Sequence, residues 1–315
     1  MPSGHVPVLL EETLSALSCR SGKLYLDATV GAGGHAFEIL RRSSPHGRLI
    51  GADQDPAALE RARQRLSPYS GRFELIHENF RRLPTLLSAR GESPFDGILL
   101  DLGVSSDQLA DPGRGFSFSQ GGPLDMRMDV RSETTAASLV KLLDAGALRR
   151  IFREHGEDPD AAAIARAIVR ERERAPIDTT DRLAAIIASA VPPARRHARI
   201  HPATRAFQAL RIAVNEELDA LSEALEVYPD LLAPGGRLAI ISFHSLEDRI
   251  VKRRFRALEG RCTCPPKLPV CRCGASAQMR VLSRRAVRPS AAEVAANPRA
   301  RSARLRAAER LGEAA

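Results

Sequence analysis

No stretch of this 315-residue chain approaches the ~18 consecutive apolar residues that a membrane-spanning helix needs. The opening Met1-Pro-Ser-Gly-His lacks the basic and apolar regions of a signal peptide, so a soluble, cytoplasmic protein with no membrane partner is expected. Cysteine is sparse where a secreted scaffold would have it. Four of the five crowd between Cys262 and Cys273 instead of spreading along the chain, which argues for reduced thiols. No internal repeat is evident, and acidic residues are outnumbered. The excess of cations, net charge +9, must face solvent because unpaired Lys and Arg are almost never buried. Polyanions are the natural partners.

What is present is 43% hydrophobic sequence, enough for a full α/β core with a large insertion or a second small domain. Four strand-like runs come early, over residues 23–30, 47–53, 73–77 and 95–101. Between them lie helical spacings such as Pro56 to Leu66, which Asp55 is placed to cap. Strands alternating with helices predict a doubly wound, Rossmann-like α/β sheet. A fifth run, Arg237 to Phe243, returns only after about 110 residues, far more than an ordinary loop. The spacing therefore predicts an inserted, mainly helical second domain over 105–215, within a discontinuous core of 1–104 and 216–315. Helices are expected over Ala136–Leu143, Ala147–Glu154, Asp160–Arg174 and Thr180–Ala190. From Ala203, the residues Phe207, Leu210, Val214, Leu218, Leu221 and Leu225 mark one longer helix leading back to the core. The last stretch of about 35 residues, rich in Ala and Arg, reads as a basic helix or as an arm that orders on RNA.

Residues 24–35 read as a buried strand, a glycine turn and a helix start. Gly31 permits the tight turn, Gly33 lets backbone N–H groups approach a ligand, and Gly34-His35 opens a helix whose free amides face the site. Asp53, about 20 residues beyond the turn, is placed to grip ribose hydroxyls. Alone, this pattern suits a nicotinamide dinucleotide as well as S-adenosylmethionine. Asp27 begins to separate them, because a carboxylate before the glycines would repel a pyrophosphate and attract an ammonium and a sulfonium. Further strand ends carry Asn79-Phe80 and Asp101. Phe80 offers either an apolar edge for adenine or plain core packing, and Asp101 would face the methionine end and the incoming substrate. The Pro-Pro-aromatic frame that often follows such an acid in amine methyltransferases is missing; the chain reads Asp101-Leu-Gly-Val-Ser-Ser.

Six blocks carry a wider resemblance. They are Asp27-x-x-x-Gly31-x-Gly33-Gly34-His35, Gly97 to Ser106, Arg114-Gly-Phe-Ser-Phe, Gly122 to Asp129, His201-Pro-Ala-Thr-Arg-Ala-Phe-Gln and Ser242 to Arg249. Almost end to end, the chain resembles the bacterial 16S rRNA cytosine-N4 methyltransferase family, RsmH or MraW. The resemblance implies S-adenosylmethionine-dependent methylation of the exocyclic N4 of a decoding-centre cytosine, cytosine 1402. It implies 16S rRNA within the small ribosomal subunit as partner, with no protein partner evident. It also implies that Gly33, Gly34, His35, Asp53, Phe80, Asp101 and Gln108 line the cofactor site.

Cytosine's amino lone pair is delocalised into the ring, so methylation requires the nitrogen to lose planarity and then a proton. Asp101 is the first candidate to hold its N–H groups, with Ser105 or Ser106 as weaker ones. His244, at the end of the fifth run, is the catalytic alternative, and a structural role competes with it. The target base must leave its stack to be reached. Arg195, Arg196, His197, Arg199, His201 and Arg205 precede or open the long helix, and Arg249, Lys252, Arg253, Arg254 and Arg256 follow the fifth strand. Together they read as phosphate contacts. Cys262-x-Cys264 and Cys271-x-Cys273 are spaced more closely than structural zinc usually requires, and no metal is expected. Rival readings are a nicotinamide dehydrogenase and a non-catalytic RNA-binding assembly factor of the small subunit.

Overall fold

The computed structural model describes residues 7–196, 201–260, 264, 272 and 276–312. The chain divides into two compact units, Met1–Gly103 with Leu218–Ala315, and Val104–Glu217. The first unit begins with α1 (Leu10–Leu17), β1 (Leu24–Asp27), α2 (Gly34–Arg42), β2 (Arg48–Asp53), α3 (Pro56–Leu66), β3 (Phe73–His77), α4 (Leu83–Ala89) and β4 (Phe95–Asp101). The second holds α5 (Ser106–Ala110), α6 (Ala136–Leu142), α7 (Ala145–Glu154), α8 (Ala161–Arg174), α9 (Thr180–Ala190), α10 (Pro193–Arg196) and α11 (Ala203–Asn215). The chain re-enters the first unit through α12 (Glu217–Val227), β5 (Leu232–Ser242), α13 (Ser245–Leu258), β6 (Met279–Val281), α14 (Ala291–Ala296) and β7 (Arg304–Arg310). No helix among the described residues is long and apolar enough to cross a membrane.

Seven strands form one sheet in the order β3-β2-β1-β4-β5-β7-β6. β1 to β5 are parallel, and β7 runs antiparallel to both β5 and β6. Alternation along each strand sends residues to opposite faces. Leu26, Ile98, Leu100 and Ile240 pack under α4, α12 and α13 through Leu87, Leu225 and Phe255. Tyr25, Leu49, Leu99 and Ile241 pack under α1, α2 and α3 through Leu17, Ile39 and Leu66. Helices on both faces explain why β4 reads as a nearly continuous apolar run. Gly97 is part of that fit: a Cβ there would lie 2.9 Å from the Tyr25 ring. As the sequence suggested, Asp55 caps α3, its carboxylate accepting from the Ala57 N–H at 3.0 Å.

Two expectations change. The helix expected from Ala203 is two helices, broken at Glu216 with φ 50. Its apolar stripe serves two cores, with Phe207, Leu210 and Val214 in the core of the inserted unit and Leu221 and Leu225 in that of the sheet. The basic terminal stretch is neither a helix throughout nor an arm: Arg304–Arg310 is an inner strand. Leu305, Ala307 and Ala308 are buried, and the arginines between them spend their donors inside the protein. Arg304 and Arg306 bind Asp248 on α13 at 2.9 and 2.7 Å, while Arg310 donates to the carbonyls of Pro229, Asp230 and Leu232. Cys262, Cys271 and Cys273 lie outside the described residues, as do His197 and Arg199.

Candidate active site

The sheet order reverses between β1 and β4, and ligands of open α/β sheets bind at the carboxyl ends beside such a point. Register makes the ends of β1, β2 and β4 neighbours, with Asp27 opposite Gly51 and Leu99. Three carboxylates, Asp27, Asp53 and Asp101, therefore terminate adjacent parallel strands. The turn after β1 is held by the Val30 N–H on the Ala52 carbonyl and the Gly33 N–H on the Val30 carbonyl, both at 2.8 Å. Gly33 has φ 78, and a Cβ on it would lie 3.2 Å from the Ala62 backbone of α3. Glycine there satisfies both the left-handed backbone and the close packing of α3. The Phe37 N–H bonds back to the Gly33 carbonyl, so the amides of Gly34, His35 and Ala36 precede the intrahelical ladder and are available at the helix's positive end.

Each acid has a distinct environment. Asp53 accepts from the Gly31 N–H at 2.8 Å on one oxygen and from the Asp55 N–H at 2.9 Å on the other. It braces the glycine turn and retains acceptor capacity for a hydroxyl donor. Burial raises its pKa to about 6 despite those bonds. Asp27, 1% exposed, accepts a long 3.3 Å bond from the Thr29 N–H. Burial, with the Asp53 charge adding to it, pushes its pKa up to about 7. Asp101 is raised well above the usual carboxylate range by burial and by the charges of Asp27 and Glu247. Its N–H donates to Thr29 Oγ1 at 2.6 Å, and its Oδ1 is buried with no hydrogen-bond partner. A cluster of acids at adjacent strand ends, one of whose oxygens is buried and unsatisfied, is an electrostatic mould for a cation.

The remaining candidates sort clearly. Phe80 is half-buried against the sheet core, and its carbonyl accepts from the Tyr228 hydroxyl at 2.9 Å; the ring packs and still leaves an apolar edge. Gln108 belongs to the inserted unit, where it completes a capping box with Ser105 at the start of α5. His244 is the N-cap of α13, its Nδ1 accepting from the Glu247 N–H at 3.4 Å. Its Nε2 lies 3.2 Å from Glu247 Oε1 but is not aligned for a hydrogen bond. Glu247 is the site residue the sequence reading missed. It is 2% exposed, its Oε2 accepts from the Phe243 N–H at 2.8 Å, and its charge bears on Asp101. The spacing His244-x-x-Glu247 at a strand-to-helix junction was the available signal.

The basic runs divide too. Arg195 pairs with Asp160, Arg196 donates to the carbonyls of Val191 and Ser189, and Arg205 to that of Glu157. His201 stacks on Phe118 with ring centroids 4.7 Å apart. These side chains hold the inserted unit together. On α13, Arg249, Arg253 and Arg256 are exposed at i, i+4 and i+7, one face of the helix. Arg254 turns inward to the Leu225 carbonyl and Glu226.

Asp27 gives a pH prediction. An acid raised from 3.8 to about 7 on folding opposes the folded state once ionised, so stability falls as pH rises through that interval. Asp27→Asn is expected to raise the melting temperature of the ligand-free protein above neutral pH by several degrees, by progressively less as pH falls through that interval, and not at all below the unfolded value. Thermal melts across a pH series check this; a variant less stable than wild type in base would contradict it.

A doubly wound sheet with one antiparallel inner strand, a glycine turn and acids at the strand ends define a Rossmann-like methyltransferase. Residues 2–311 match the MraW methylase family, and the chain belongs to that family. It is 54% identical to the ribosomal RNA small subunit methyltransferase H of Thermomicrobium roseum, over 98% of this chain and 94% of that one. It is 52% identical to the protein of the same name from Symbiobacterium thermophilum, over 98% and 96%.

Proposed function

We propose that this methyltransferase transfers a methyl group from S-adenosylmethionine to the exocyclic N4 of a cytosine in the RNA of the small ribosomal subunit, the decoding-centre cytosine 1402. The observation that carries the reading is the unpartnered Oδ1 of Asp101 within the charge of Asp27 and Glu247. Such a pocket suits a cationic cofactor and repels a pyrophosphate. When bound, S-adenosylmethionine supplies an electrophilic methyl group. Asp53 would accept from the ribose, Phe80 would border the adenine, and the amides of Gly34, His35 and Ala36 would offer donors. Asp101 would hold an N–H of the amine, keeping the nitrogen oriented and accepting the proton it must lose. The names of the relatives support the substrate class, and that substrate implies the cytoplasm. Labelled S-adenosylmethionine offered with assembled small subunits, free ribosomal RNA or DNA tests the reading, with the methylated nucleoside mapped by mass spectrometry. Absence of label from RNA refutes it.

The exposed face of α13 is the surface proposed to meet RNA phosphates. Replacing Arg249, Arg253 and Arg256 together by Gln is expected to weaken RNA binding and to reduce the slope of log affinity against log salt by about two to three. A filter-binding titration at several salt concentrations checks this, and an unchanged slope removes α13 from the interface.

A further inference from the structure

His35, 5% exposed, faces two oxygens. Its Nε2 lies 3.1 Å from the Val8 carbonyl, which can only accept, so Nε2 carries the hydrogen. The ring is neutral because burial, with the Arg65 charge adding to it, lowers its pKa to about 4. Nδ1 is therefore a bare lone pair, and it lies 3.5 Å from Asp101 Oδ2. A lone pair 3.5 Å from a carboxylate oxygen is repulsive unless a proton stands between them. The charged groups bearing on the pair do not relieve this repulsion. Asp27 and Glu247 add negative charge to Asp101, Asp53 adds to Asp27, and Arg65 acts to keep His35 neutral.

We propose that Asp101 and His35 together hold one proton, Oδ2–H toward Nδ1, whenever the pocket contains no cation, and that a cationic ligand beside the Asp101 carboxyl group displaces it. His35 is thereby a positioning residue: Val8 fixes its tautomer, and its lone pair selects the Asp101 oxygen that carries the proton. The consequence for catalysis rests on the function proposed above. Asp101 is a carboxylate while the sulfonium charge is present. As the N4 lone pair forms the N–CH3 bond and the S–C electron pair stays on sulfur, that charge disappears and Asp101 regains its proton affinity. The N4–H bond then breaks, its electron pair returns to nitrogen, and the proton forms an O–H bond on Asp101 that His35 Nδ1 accepts. The base strengthens when its substrate has a proton to lose.

Calorimetric titration of the full chain near neutral pH, in buffers of different ionisation enthalpy, counts the protons released by each ligand. S-adenosylmethionine is expected to release about one proton more than uncharged-sulfur S-adenosylhomocysteine. Asp27→Asn, which removes one of the charges that raise Asp101, should reduce that difference without abolishing it. His35→Gln should shrink it, because an amide N–H can donate to Oδ2 where the imidazole lone pair cannot. Equal release by the two ligands in the wild-type protein overturns the proposal, as does a difference lost in Asp27→Asn, which would assign the proton to Asp27. Binding of neither ligand overturns the cofactor reading instead. The wild-type comparison stands even where a variant fails to fold.

Discussion

Asp101→Asn is expected to lower kcat by about 10²–10⁴-fold at saturating S-adenosylmethionine, the range associated with loss of a positioned proton acceptor. The substitution preserves shape. Its amide can donate to the His35 lone pair 3.5 Å away, and the backbone bond to Thr29 Oγ1 does not involve the side chain. The folded structure should therefore survive, and a circular-dichroism melt close to wild type would show that it has. What the variant loses is a group able to take a proton from the amine. Were Asp101 only a counter-charge for the cofactor, the variant would bind S-adenosylmethionine weakly but turn over at the wild-type rate once saturated. That split between Kd and kcat decides between the two roles.

Asp248→Ala is expected to cost about 3–5 kcal/mol of stability, the penalty for leaving a buried ion pair with one partner. Asp248 is 8% exposed and binds both Arg304 and Arg306, and Arg306 is itself only 9% exposed. Removing the carboxylate strands a guanidinium inside the fold, between α13 and β7. Those two arginines hold the Asp248 pKa below the usual carboxylate range, so its contribution is present above the unfolded pKa and is lost as pH falls through the folded one. Chemical denaturation at neutral pH measures the loss, and amide exchange should show β7 opening before β1 and β4. A change below 1 kcal/mol would mean that water reaches Arg306 and the pair is not buried in solution. Replacing Asp248, Arg304 and Arg306 together with apolar residues should be far milder than the single substitution, since no charge is then left unpaired.

The parallel half of the sheet was legible because each strand ends an apolar run with a polar residue and is followed by a helical period. Asp27, Asp53 and Asp101 were found for that reason. Strand β7 was hidden by its composition. Alternating Arg and Ala look like a solvated helix, and only the distant Asp248 and the carbonyls of Pro229, Asp230 and Leu232 reveal that the arginines face protein. The stripe from Phe207 to Leu225 was misread for a related reason: periodicity records that a face is apolar, not which core it enters, and the left-handed Glu216 carries no glycine to announce the break. At the site, the types and order of residues were legible but their state was not. Nothing in the sequence shows that Asp101 Oδ1 lacks a partner, that Glu247 adds its charge, or that Val8 dictates the His35 tautomer.

The position of β7 also sets an order of events during synthesis. β5 pairs with β4 on one side and β7 on the other, and the pairing of Arg237 with Glu309 spans 72 residues. Until that length of chain has left the ribosome, the outer edge of β5 presents unpaired amides and carbonyls beside Leu238 and Ile240. An exposed apolar edge of this kind is a template for mispairing between nascent chains. Arrival of Arg304–Arg310 closes the edge and neutralises Asp248 in the same movement.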